Sequence, residues 1–159
     1  MINFLKKKPF VPLYPLVFTS FTFLIPFFTF IYNIINNDFY LLLNYWPVIL
    51  SVSSCITSCA SIYNWLSPGI VLRQNIDRIF ASTGMIIYSF RGIYILKKIY
   101  YLLFFIMITG YLMSQYLQKN NNSTWIFSHI IFHISVTFGT YFVMIASIKN
   151  IKERNKFNK

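Results

Sequence analysis

Apolar residues in this chain run in long unbroken blocks, and the charged residues fall between the blocks. No Asp, Glu, Lys or Arg lies between Lys8 and Asp38, between Asp38 and Arg73, between Lys98 and Lys119, or between Lys119 and Lys149. Each gap holds the roughly 20 residues with which a helix crosses the hydrocarbon of a bilayer. These blocks predict spans near residues 12–32, 40–63, 99–117 and 124–147. Between Arg73 and Lys98 the charge-free core is shorter, 12 residues from Ile79 to Phe90. A helix over 74–96 becomes long enough when Arg91 snorkels to the nearer interface and Asp77 with Arg78 marks the other. That stretch is read as a further span, third in chain order.

The period-two alternation of a transmembrane β-strand is missing, and long apolar blocks suit helices, which pair their own backbone groups in lipid. The predicted fold class is all-α: a polytopic transmembrane helical bundle of about five membrane-spanning helices, forming one transmembrane domain over residues 1–159. Pro26 and Pro47 fall inside the first two spans and are expected to bend them. Polar turns near residues 33–38, 64–69 and 119–123 are short, so sequence neighbours should pack antiparallel.

Composition strengthens this reading. The chain is 57% hydrophobic and 11% charged, with a mean hydropathy of +0.58, whereas soluble domains carry roughly 25% charged residues. The first apolar block is too long for the core of a signal peptide, contains Pro12, Pro15 and Pro26, and offers no small-residue cleavage site, so it is read as a span.

Five crossings put Lys6, Lys7, Lys8, Arg73, Arg78 and Lys119 on one side. Arg91, Lys97, Lys98, Lys149, Lys152, Arg154, Lys156 and Lys159 fall on the other. The net charge of +11 therefore reads as two contact zones for anionic membrane lipids. Nucleic acid is excluded as a partner, because no basic stripe with interleaved aromatics lies outside the spans.

Polar residues inside the spans carry the candidate chemistry, since burying them in hydrocarbon is costly unless they pair or serve. Ser51, Ser54, Ser58 and Ser61 form a stripe at helical spacing on the second span. Cys55 and Cys59 lie four apart on the same span, where small residues suit a close helix seam better than a disulfide or a metal site. Asp77 and Arg78 open the third span, and His129 and His133 sit one turn apart on the fifth. If the helices alternate in direction, Ser58, Ser61, Asn64, Asp77, His129 and His133 share one leaflet.

The segment Ser128-His129-Ile130-Ile131-Phe132-His133 resembles the Ser-His-x-x-Phe-His motif that opens the last helix of receptor-type members of the CREST superfamily. This superfamily of intramembrane hydrolases includes alkaline ceramidases and progestin/adiponectin-type receptors. Ala60-Ser61-Ile62-Tyr63-Asn64 is similar to its Ser-x-x-Tyr-His segment, and Ile76-Asp77 with Gly84 to its Leu-Asp-x-x-x-Ile segment. The resemblance implies zinc as cofactor, His129 and His133 as its ligands, Asp77 as partner or base of a metal-bound water, and Ser61 or Ser58 as the nearby hydroxyl. The family's third histidine falls where this chain has Asn64 or Trp65, and the family's seven spans are here five. The resemblance thus implies a reduced, degenerate member with a weak or vacant zinc site, lost hydrolysis, and a one-leaflet polar pocket for lipid or metal.

Other readings of the same residues stand beside it. The two histidines can hydrogen-bond across helices to Thr57, Ser58 or Ser61, or serve a proton relay or haem. Asp77 can form an interfacial ion pair with Arg78 at a helix start. The chain as a whole can be a small accessory or structural subunit of a larger membrane complex, with membrane-protein partners.

Overall fold

Pro26 sets the shape of the first membrane-length unit, because proline has no N–H to offer the carbonyl four residues back. In the computed structural model, which describes residues 12–36, 38–120 and 122–157, helix α1 (Tyr14–Phe21) gives way to a 3₁₀ turn at Thr22–Leu24 before α2 (Ile25–Ile35) resumes. The Thr22 carbonyl, which residue 26 would have met in a regular helix, accepts the Ile25 N–H instead. Lys6, Lys7, Lys8 and Lys159 of the basic tally lie outside the described residues.

Four further helices follow a 3₁₀ stretch at Phe39–Leu43: α3 (Tyr45–Leu66), α4 (Val71–Leu96), α5 (Lys98–Lys119) and α6 (Trp125–Phe157). No strand occurs among the described residues. Five units, Tyr14–Ile35 and α3 to α6, are long and apolar enough to cross a membrane. The disputed third stretch is one of them. Their outer faces are apolar, with Phe18 69%, Phe90 72% and Phe105 68% exposed, as lipid contact demands.

Two local expectations need correction. Pro47 does not bend the second span: α3 starts at Tyr45, so Pro47 falls in the first turn, where an N–H has no helical partner to lose. Cys59 is exposed and Cys55 partly so, leaving Cys59 outside the seam in which both were expected.

Cross-helix contacts fix the arrangement. Thr57 Oγ1 donates to the Phe80 carbonyl at 3.3 Å and the Tyr88 hydroxyl to the Leu50 carbonyl at 2.9 Å, so α3 and α4 run antiparallel. Ser114 against His129 and Gly110 against Phe132 make α5 and α6 antiparallel as well. α1 and α2 lie between α3 and α6, touching α6 in parallel through Thr22–Thr137 and, at the far end, through Asn33 and Lys152. α4 and α5 join through Lys97 alone, at a positive φ of 49°. Just beside this corner Gly92 is required, since a Cβ there would sit 2.3 Å from the Tyr100 ring.

The serine stripe of α3 closes the broken backbone of the first unit. Ser58 Oγ donates to the Ser20 carbonyl at 2.8 Å, just before the helix tightens, and Ser54 Oγ donates to the Phe23 carbonyl, inside the 3₁₀ turn. Ser51, Ser54, Ser58 and Ser61 are all buried. In hydrocarbon an unpaired carbonyl costs several kcal/mol, so hydroxyls at this spacing are worth more than packing volume alone. Ser58→Leu both overfills a fully buried site and strips the Ser20 carbonyl of its side-chain donor. It should destabilise the bundle by about 1–3 kcal/mol, read from unfolding in mixed micelles. Ser135→Leu, where the hydroxyl bonds only its own helix at Ile131, should be near neutral.

Candidate functional site

The five units leave a cavity of about 870 Å³ between α3, α4, α5 and α6. α4 and α5 are pinned together beside their corner, where the Ser89 and Tyr100 hydroxyls lie 3.0 Å apart. Farther along, the space between them opens. Tyr88, Tyr100, Phe104 and Met107 line the end nearer the corner. Both tyrosine hydroxyls there are occupied, by the Leu50 carbonyl and by Ser89, so the rings offer the cavity apolar surface. Ser61, Asn64, Asp77, His129 and His133 line the opposite end, with Gln74, Arg78 and Gln118 beyond them.

The polar end assembles because α3 ends, α4 begins and α6 begins at the same end of the bundle. His129 and His133 are 7% and 2% exposed, and their ring centroids are 4.8 Å apart. His129 Nδ1 lies 2.8 Å from Ser114 Oγ on α5, and His133 Nδ1 lies 3.0 Å from Thr19 Oγ1 on α1. Both histidines thus bond across helices, to hydroxyls other than those the sequence suggested. Thr57 and Ser58 are committed to the Phe80 and Ser20 carbonyls. Ser114 and Thr19 carried no signal beyond being hydroxyls within spans. Which way each helix is turned, and so which hydroxyl meets an imidazole, is a tertiary fact.

Asp77 pairs with a neutral neighbour. Asn64 Nδ2 donates to Asp77 Oδ2 at 2.8 Å, and no ion pair with Arg78 forms among the described residues. The other amide atom, Asn64 Oδ1, is buried with no protein partner among them. Trp65 rather than Asn64 turns toward α6: its ring centroid is 5.1 Å from that of His129 and 6.2 Å from that of Trp125. Its indole Nε1 donates to Ser61 Oγ at 3.2 Å. The Ser61 hydroxyl also lies 2.9 Å from Ser20 Oγ, whose own proton reaches the Leu16 carbonyl at 2.7 Å. Ser61 is thereby held in the seam with α1 while still bordering the cavity.

Zinc does not fit this donor set. Tetrahedral protein sites take three or four side-chain ligands, and among the described residues no three His, Cys, Asp or Glu side chains gather closely enough to share an ion. Asp77 is engaged by Asn64, and the position that faces His129 from the end of α3 is an indole, which has no lone pair to give. What the imidazoles do have is a hydroxyl on each Nδ1 and a cavity wall beside each ring.

No family model, no curated protein and no solved structure matches the chain.

The orientation of Trp65 gives a direct test of how far this end is from a metal site. Trp65→His should place a third imidazole toward His129 and raise zinc content toward one ion per chain, measured by elemental analysis of the purified protein. Adding His129→Ala should remove the gain. Asn64→His, whose side chain starts toward Asp77, should hold less zinc than Trp65→His; the reverse order would mean that Asn64, not Trp65, faces α6.

Proposed function

We propose that this multi-pass membrane protein is a lipid-binding relative of the CREST type, without hydrolytic activity, that takes an amphiphile into the cavity between α3, α4, α5 and α6. The observation that carries the proposal is the polarity of that cavity along its length. One end is walled by Tyr88, Tyr100, Phe104 and Met107, and the other by Asn64, Asp77, His129 and His133. Its volume of about 870 Å³ falls within the range in which protein pockets bury whole small ligands.

Chemistry at the polar end sets what the head must be. Asn64 Oδ1 is a buried acceptor without a donor among the described residues, and leaving such an atom unpaired costs about 1–3 kcal/mol. A head bearing an O–H or N–H relieves that cost, and the tail then covers the aromatic wall. The resemblance in the segment from Ser128 to His133 supports a lipid as the occupant. Hydrolysis of that family's kind would need a metal-bound water, and among the described residues no third ligand joins His129 and His133. The accessory-subunit reading rests on no comparable feature, since the exposed apolar faces are what bilayer lipid itself requires.

A photo-crosslinking lipid with a hydroxyl head and a diazirine in its tail should label residues of the cavity wall, with Met107 and Phe104 foremost. Ala81→Phe, which narrows the cavity from α4, and Asn64→Leu, which removes the acceptor, should each reduce labelling several-fold while the protein remains folded. Labelling confined to outward residues such as Phe105, and indifferent to both substitutions, would overturn the proposal.

A further inference from the structure

At the opposite end of the bundle stands a largely buried cation with no acidic partner among the described residues. Arg91, on α4, is 6% exposed. Its Nε donates to Ser147 Oγ on α6 at 3.2 Å, and its guanidinium carbon lies 5.1 Å from the Trp46 ring centroid and 5.6 Å from that of Tyr94. A guanidinium has five N–H donors, and only the one on Nε has a partner among the described residues.

The whole chain holds three acidic residues, Asp38, Asp77 and Glu153, and none of them serves Arg91. Asp38 is 2.6 Å from Lys152, and Glu153 is 3.9 Å from Lys149. Asp77 is at the far end of α4, bonded to Asn64. Aromatic faces attract a cation by their quadrupole, worth about 2 kcal/mol when desolvated, but they leave the charge in place and its forked donors unmet. Burying a cation on those terms is costly unless an anion completes the site.

The space for one is present. Arg91 borders a cleft of about 300 Å³ whose walls include Asn44, Trp46, Tyr94, Asn150 and Arg154. Arg154 brings a second guanidinium and Asn150 an amide, while Asn44, whose Nδ2 gives one N–H to the Tyr40 carbonyl at 2.9 Å, keeps its other N–H. Phe90 and Tyr94 beside the cleft are 72% and 67% exposed on the outer, lipid-facing surface, so an acyl chain can run from it along α4. Planar guanidinium groups match the oxygens of a phosphate in a bidentate fork.

We infer that the cleft between Arg91 and Arg154 is a binding site for the phosphate of an anionic phospholipid headgroup. This goes beyond the general attraction of basic residues for a negative surface: it places one seat, lined from α3, α4 and α6, with a largely buried arginine at its base. Headgroup capture here ties the C-terminal part of α6 to α4 and anchors this end of the bundle at the membrane interface. It is independent of the cavity at the other end.

The full-length protein in neutral detergent, titrated with phosphatidic acid and followed by native mass spectrometry, tests the site. One lipid should bind saturably, and Arg91→Gln should weaken it about tenfold or more. Arg154→Gln, an exposed change that leaves the fold alone, should weaken it as well and keeps the test valid if Arg91→Gln does not fold. Lys149→Gln, on the same end but outside the cleft, should bind as the native chain does. Equal loss in all three variants would reduce the effect to surface charge and overturn the site, as would undiminished binding in both arginine variants. Inorganic phosphate should compete only weakly; if it binds as tightly as the lipid, the site belongs to a free phosphate and the lipid assignment falls.

Discussion

A backbone carbonyl inside hydrocarbon has to be paired by protein, and in this chain that single requirement organises the bundle. Pro26 interrupts the first membrane-length unit, which tightens into a 3₁₀ turn at Thr22–Leu24. The carbonyls of Ser20, just before the turn, and Phe23, within it, accept hydroxyls from Ser58 and Ser54. Since residues 54 and 58 are one helical turn apart, the pairing holds only for one register and one rotation of α3 against α1 and α2. The proline therefore prescribes the fit of the next helix.

The rest follows from that placement. With α3 set against the break, Trp65 at its end is turned to α6 and Asn64 to α4, where it bonds Asp77. The broken unit also presents Thr19 and Thr22 to α6, where they meet His133 and Thr137 at 3.0 and 2.7 Å. α3 and α6 are thus held on either side of the same proline-broken unit. The helices beyond them, α4 and α5, are pinned to each other beside the Lys97 corner by Ser89 and Tyr100, and the cavity lies between their farther stretches. Polar residues at one end and apolar residues at the other are consequences of where each helix enters and leaves.

The sequence made the spans legible because charge is expensive in lipid and leaves a blunt, one-dimensional record. Even the third span, with Arg91 inside it, was readable once snorkelling was allowed. Arg91 itself does more than reach for the interface: it is buried against Trp46, Tyr94 and Ser147, partners that lie on three helices and share no local pattern. The serine stripe was visible as a packing face, but its role in pairing two carbonyls just ahead of Pro26 was not, because the periodicity of one helix says nothing of the backbone opposite. The shared end of His129, His133, Asn64 and Asp77 followed from alternation alone. Rotation about the helix axis did not, which is why Asn64 and Trp65 stood side by side for the third position of a metal site, whereas it is Trp65 that faces His129. The one-residue corner at Lys97 had no Gly, Asn or Pro to announce it.

The claim that the proline break and the serine hydroxyls are one device is tested most directly by a double-mutant cycle between Pro26 and Ser54. Alanine at position 26 restores an N–H for the Thr22 carbonyl, so the ladder can close and Phe23 no longer depends on a side chain. Ser54→Ala should therefore destabilise the native chain by about 1–3 kcal/mol and cost clearly less in the Pro26→Ala background, a coupling of about 0.5 kcal/mol or more in reversible unfolding in micelles. Strictly additive costs would contradict the account, showing that the Ser54 hydroxyl and the break at Pro26 act independently.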